Sequence, residues 1–295
     1  MFRRQTRRFM TLGGDHSDKR ISVVMTVFNT GALVEKAVRS VLGQTHRNLE
    51  MLVIDDASTD DTLARLKLLK SGDPRLRVFH SPTNHGTYWS KNWGIRHATG
   101  DFVATHDSDD TSEPNRLEMQ LGALMERRDA VACTARWRRV NSQGDELEID
   151  GKNERMAAIS LMFDRKKILK KTGYFDCVRI SADTEFITRL EHVFGKRSIR
   201  HIRQHLYTGL LRDGSLTRGE NSGFNWQADG KSFRRELSGD RADYHRAFHA
   251  WHNAFPGNEH TLKIDFPQQE RSIVAADGIR RNCDDQDLSQ VKEIL

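Results

Sequence analysis

The 295-residue sequence predicts an α/β fold with a mostly parallel central sheet flanked by helices. Three observations carry this. Runs of β-branched and apolar residues at 21–28, 49–54, 75–79 and 102–105 read as short strands, the first two of them buried on both faces. Helical patterns alternate with them over short connections, as βαβ units require. Finally, three of the strands end in groups suited to a ligand: Thr26-Val27-Phe28-Asn29, Asp55-Asp56, and the acidic run from Asp107 to Asp110. In an open α/β sheet, ligands bind beyond the carboxyl ends of the strands.

Residues 1–20 read as a flexible basic arm, with Arg3, Arg4, Arg7 and Arg8 followed by Gly13-Gly14 and little to bury. The first strand is broken by Asn29-Thr30-Gly31. A helix follows over 32–42, with Leu33, Ala37 and Val41 on one side. The turn from Asp55 to Asp60 caps a second helix through Leu63, Leu66 and Leu69. A third helix, 86–98, stops at Thr99-Gly100, and the strand at 102–105 delivers the acidic cluster. Beyond Glu113 the alternation weakens. A helix carries Leu117, Leu121 and Leu124, a strand covers 130–135, and Asn141 to Asp145 predicts a hairpin. The stretch 159–163 precedes a basic helix at 164–171. From Asp183 the pattern is helical again, with Phe186, Leu190 and Val193 apolar and Gly195 as stop. Residues 206–218 read as a short strand and a polar loop, Arg212 to Arg218, able to fold over a diphosphate. After Glu220 the chain reads as mainly helical, with Trp226, Phe233, Tyr244, Phe248 and Trp251 as buried anchors. The division expected is therefore an arm (1–20), a main domain (21–218, with halves 21–112 and 113–218) and a mainly helical C-terminal extension (219–295).

Hydrophobic residues at 37% and charged residues at 30% describe a water-soluble chain with a real core, and no apolar run approaches the roughly 20 residues a membrane span needs. The three cysteines, Cys133, Cys177 and Cys283, lie far apart without metal-ligand spacing and read as reduced thiols, so a cytoplasmic chain is expected. Its basic arm could touch acidic headgroups at the inner face of a membrane. The net charge of +6 invites a nucleic-acid reading, but the basic residues are dispersed among 41 acidic ones and no nucleic-acid motif occurs. The oligomeric state stays open.

Three carboxylates within four positions, Asp107, Asp109 and Asp110, repel one another unless a cation offsets them, and hard oxygen ligands suit Mn²⁺ or Mg²⁺. A solvated acidic turn that caps the following helix is the other reading. Phe28 can pack on a base and Asp56 can accept from a base N–H, which suits a nucleotide. No phosphate-binding glycine loop follows the first strand, so metal and side chains would have to hold a diphosphate. Asp183 and Glu185 form a second acidic group, readable as first-turn acids of a helix that Ser181 caps or as chemistry.

Taken in order, Val23 to Asn29, Ala37 to Thr45, Val53 to Thr62, Lys91 to Ile95, Ala98 to Val103 and Asp107 to Asp110 resemble a family 2 glycosyltransferase of the GT-A fold, over about 21–218. The resemblance implies an inverting, metal-dependent transfer of a sugar from a nucleotide sugar, above all a UDP-sugar, to a hydroxyl of a glycan or lipid-linked acceptor in cell-surface polysaccharide synthesis. It implies that Thr26, Phe28 and Asp56 form the uracil pocket, with Asn29 beside them. Lys91 stands where the family usually has an arginine facing the nucleotide, and offers a point charge in place of a planar fork. It further implies that Asp109 contacts ribose and metal, that Asp110 contacts the metal, and that Asp183 is the catalytic base. The family's usual Glu-Asp pair is here Ala182-Asp183, with Glu185 a candidate acceptor contact. Two rivals remain. Asp107-x-Asp109-x-Thr111 also fits the nucleophile motif of haloacid-dehalogenase-like phosphatases, with Asp107 attacking phosphorus. A non-catalytic nucleotide- or sugar-binding module would bind without transfer.

Overall fold

A computed structural model describes residues 15–212, 215–219, 222–230, 232–255 and 262–294. The arginine-rich arm up to residue 14, and Asp213 and Gly214 of the polar loop, lie outside them.

The first half is as the alternation predicts. Strands β1 (Ile21–Val27), β2 (Leu49–Asp56), β3 (Leu76–Ser81) and β4 (Phe102–Asp107) are joined by helices α1 (Leu33–Leu42), α2 (Thr62–Gly72) and α3 (Thr87–His97). They form a parallel sheet in the order β4-β1-β2-β3. Every residue of β1 and β2 is buried, as expected of strands covered on both faces. Helix α1 lays Val34, Ala37, Val38 and Val41 on the sheet, a stripe at helical spacing. Helix α3 packs tightly on the sheet at Gly94, which lacks a side chain: a Cβ there would lie 2.6 Å from Val24 Cγ1 and 2.8 Å from the Ile54 methyl.

The second half is mixed. After β5 (Thr111–Ser112) and α4 (Arg116–Met125) come β6 (Ala132–Val140), β7 (Glu146–Ile149) and β8 (Glu154–Asp164), then α5 (Arg165–Lys171) and α6 (Ala182–Phe194). Strand β8 adds antiparallel to β4 and carries β6 antiparallel in turn, so the all-parallel order ends at β4. Strand β9 (Ile199–Leu210) runs 12 residues, parallel to β6, and is much longer than the short strand expected.

The expectation of a mainly helical C-terminal stretch is corrected. A hairpin of β10 (Phe224–Asp229) and β11 (Ser232–Leu237) comes first and extends the sheet through β7. Alternation in Phe224-Asn225-Trp226 and a turn at Gly230, φ +60°, favour strand over helix there. Helix α7 (Gly239–Ala254) then buries Tyr244 and Phe248, α8 (Asp277–Arg280) is one turn, and β12 (Lys292–Glu293) pairs with β3. No helix among the described residues is long and apolar enough to cross a membrane.

Candidate active site

Strand register brings the candidate groups together. Thr26 pairs with Asp107 across β1 and β4, and Val27 with Asp55 across β1 and β2. Their carboxyl ends open into a cavity of about 380 Å³ lined by Thr26, Phe28, Asp56, Lys91, Asp107, Asp109, Asp110 and Asp183.

On the nucleotide side, Phe28 is 48% exposed, a large apolar ring left uncovered at the mouth. Asp56 is buried. Its Oδ1 accepts from the His85 amide (2.9 Å) and Ser90 Oγ (2.9 Å), and its Oδ2 from the Gly86 amide (2.8 Å). Burial pushes its pKa up against these bonds. Oδ2, with one partner, keeps acceptor capacity. Thr26 Oγ1 shares a 2.8 Å hydrogen bond with Thr87 Oγ1, tying β1 to the start of α3. Asn29 does not line the cavity. Its backbone is left-handed (φ +48°) and its Oδ1 accepts from the Thr59 amide at 2.8 Å, so it braces the loops after β1 and β2.

In the acidic run, each carboxylate has one oxygen on a protein donor. Lys91 Nζ donates to Asp107 Oδ1 (3.1 Å), Arg212 Nε to Asp109 Oδ2 (2.8 Å), and the Leu210 amide to Asp110 Oδ1 (2.8 Å). Asp110 is 3% exposed, and burial together with the Asp109 and Asp107 charges pushes it well above the usual carboxylate range. His106 beside it bonds Ser112 Oγ and the Asp107 carbonyl, and burial and the Arg116 charge push it down to about 3, so it is neutral and structural. Among the described residues no group of three or more His, Cys, Asp or Glu is gathered as a metal cage. The donor set is nonetheless chemically suited to a hard cation, since each of the three carboxylates has a second oxygen outside these bonds.

Asp183 sits in the first turn of α6. Its Oδ1 accepts from the Thr184 amide at 2.8 Å, and burial together with the Asp183 charge holds the Tyr88 hydroxyl well above its ordinary pKa. Glu185 is elsewhere: fully buried, it accepts from Arg189 Nε and pairs with His252 Nε2, both at 2.9 Å. One residue pair decides this, because 185 and 189 fall on the core face of α6 while 183 falls on the cavity side. Glu185→Ala should lower the unfolding free energy by about 3–5 kcal/mol, the usual cost of leaving one member of a buried pair alone. Urea unfolding measures it.

A model of the family described as "Glycosyl transferase family 2" matches residues 22–181. The chain belongs to glycosyl transferase family 2. An uncharacterized glycosyltransferase of Rickettsia conorii is 36% identical over 132 residues, 45% of this chain and 21% of that one. The UDP-Glc:alpha-D-GlcNAc-diphosphoundecaprenol beta-1,3-glucosyltransferase WfgD of Escherichia coli is 35% identical over 108 residues, 37% of this chain and 42% of that one. The chain thus spans about a fifth of the first of these relatives and under half of the second. Among solved structures, S. aureus TarS 1-349 in complex with UDP-GlcNAc superposes with a TM-score of 0.55 at 21% identity, over 66% of this chain and 60% of that one. That likeness is one of fold, the GT-A arrangement.

Several lining residues of this family 2 chain had no sequence signal. Tyr88 looks like a helix aromatic, and Arg139 and Arg241 look like surface cations, yet all three are buried and line the cavity. Arg212 was legible only as part of a polar loop. Asp107 to Asp110 do occupy the end of β4, the fourth strand of the sheet, where the phosphatase motif would follow a first strand.

Proposed function

We propose that this chain is an inverting glycosyltransferase that moves a sugar from a UDP-sugar to an acceptor hydroxyl. One observation carries the reading. A single cavity gathers a base-stacking ring and acceptor (Phe28, Asp56), a carboxylate run with its own cations (Asp107 to Asp110, Lys91, Arg212), and a further acid, Asp183. Its volume of about 380 Å³ lies in the range of small-molecule sites. WfgD, named for a UDP-sugar donor and a diphosphoundecaprenol-linked acceptor, and TarS, solved with UDP-GlcNAc, support a UDP-sugar and a glycan or lipid-linked acceptor.

In this reading uracil packs on Phe28 and its N–H donates to Asp56. Asp183 accepts the acceptor's hydroxyl proton as that oxygen bonds to the anomeric carbon, and the bond from that carbon to the diphosphate breaks on the opposite face. An Asp needs no large pKa shift to be ionised at neutral pH. Lys91 and Arg212 lie where negative charge collects on departing UDP. Asp109 and Asp110 would hold Mn²⁺ or Mg²⁺, which when bound neutralises diphosphate charge. Asp107, paired with Lys91, is a supporting charge.

The test is thermal stabilisation by UDP, GDP, CDP and ADP, each with and without Mn²⁺, since a ligand that binds only the folded state raises its stability. UDP with Mn²⁺ should raise the unfolding midpoint most, and a panel of UDP-sugars should then release UDP. Equal responses to all four nucleotides, or none, would contradict the uracil pocket. Phosphate release from simple phosphoesters would favour the phosphatase reading instead.

A further inference from the structure

Ser181, the residue that starts α6, has a left-handed backbone, φ +64° and ψ 2°. Glycine adopts that conformation without penalty, and a serine does not. The hydroxyl is therefore the feature to explain. Ser181 is 4% exposed, and two side chains of α7 converge on its Oγ: Arg241 donates from Nη1 at 2.7 Å, and His245 Nε2 lies at 3.1 Å. Burial and the Arg241 charge push His245 down to about 4, so its ring is neutral and can accept the hydroxyl proton.

Arg241 does more than hold one hydroxyl. It is 6% exposed, lies over the Phe224 ring at 4.3 Å, and donates from Nε to the Ser222 carbonyl (2.5 Å) and from Nη2 to the Leu216 carbonyl (3.3 Å). One guanidinium thus joins the start of α6 to the loop whose Arg212 bonds Asp109. Both Arg241 and Ser181 line the cavity with Asp183. Asp183 takes its orientation from the first turn of α6, through its bond to the Thr184 amide, and that turn leaves the chain in the direction Ser181 sets.

We propose that Arg241 and Ser181 form a positioning device for Asp183, in which α7, C-terminal to the matched family segment, fixes the left-handed turn that aims the carboxylate into the cavity. This rests on the reading of Asp183 as the base. A misplacement of a reacting group by about 1 Å can cost up to 10²-fold in rate, so the device should be visible in kcat and not in donor binding.

The experiment uses the full chain, UDP as binding probe, and UDP release from the UDP-sugar that turns over fastest. Ser181→Gly keeps the left-handed backbone and deletes the hydroxyl. It should remain folded and bind UDP as the parent does while kcat falls on the order of 10-fold. Ser181→Asn, which tolerates the same backbone and restores an acceptor for Arg241, should recover most of that loss. Arg241→Gln should lower kcat similarly, and the double variant with Ser181→Gly should be no slower than the worse single, because the two act as one unit. Parent-like kcat in Ser181→Gly, with Asp183→Asn inactive, would overturn the positioning role alone. Parent-like kcat in both, or no turnover of any UDP-sugar by the parent, would overturn the base or transferase reading and the device with it.

Discussion

Asp183→Asn should bind UDP as the parent chain does and transfer sugar roughly 10²- to 10⁴-fold more slowly, the span that loss of a positioned general base produces. The amide matches the carboxylate in shape but cannot take the acceptor proton. It also keeps an oxygen for the Thr184 amide, now bonded to Asp183 Oδ1, so the first turn of α6 is undisturbed. Were Asp183 only a charge at a helix N-terminus, its loss would cost about 0.3–1 kcal/mol of stability and leave the rate alone. Calorimetric titration with UDP beside steady-state UDP release separates the two. An unchanged kcat contradicts the assignment.

The second large effect concerns Asp110. Asp110→Asn retains an acceptor for the Leu210 amide, which a smaller side chain would leave unpaired, and removes only the charge. Two results follow from one cause. Without ligand the variant should be as stable as the parent or more so, because a buried carboxylate facing Asp109 and Asp107 is relieved. With Mn²⁺ present, UDP binding should weaken by more than the roughly 10- to 100-fold typical of losing a metal site's outer partners. Without Mn²⁺ the two chains should bind UDP alike. Titrations with and without Mn²⁺ measure this, and a parent-like response to Mn²⁺ would contradict it.

The parallel half of the sheet and the edge that opens into the cavity were legible because burial on both faces leaves a continuous apolar signature in 21–27 and 49–56, and because βαβ order fixes which strand ends share an edge. The start of α6 and its Gly195 stop were legible for local reasons too. What escaped reading has a common physical origin in pairing over long sequence distances. Strand β9 begins Ile199-Arg200-His201-Ile202-Arg203-Gln204-His205, half exposed and charged, and is held as a strand by its ladder with β6, not by its own composition. The C-terminal residues showed no chemistry because their partners are nearly 200 positions away: Asp285 contacts His85 Nε2 at 3.0 Å and its carbonyl accepts from Trp89 Nε1 at 2.9 Å, bracing the loop whose amides hold Asp56. Asn29 and Glu185 were misplaced for the opposite reason. Each is the right residue type beside the site, but their side chains are used locally, on Thr59 and on Arg189.

The donor nucleotide should lie at the ends of β1, β2 and β4, with its diphosphate toward Asp109 and Asp110 and its sugar toward Asp183. A crystal structure of the chain with UDP and Mn²⁺ tests it most directly. Uracil should lie against Phe28 with its N–H on Asp56, and the ion between the diphosphate and the Asp109–Asp110 carboxylates. Uracil bound away from Phe28 and Asp56, or a diphosphate held by groups other than this acidic run and its cations, would contradict it.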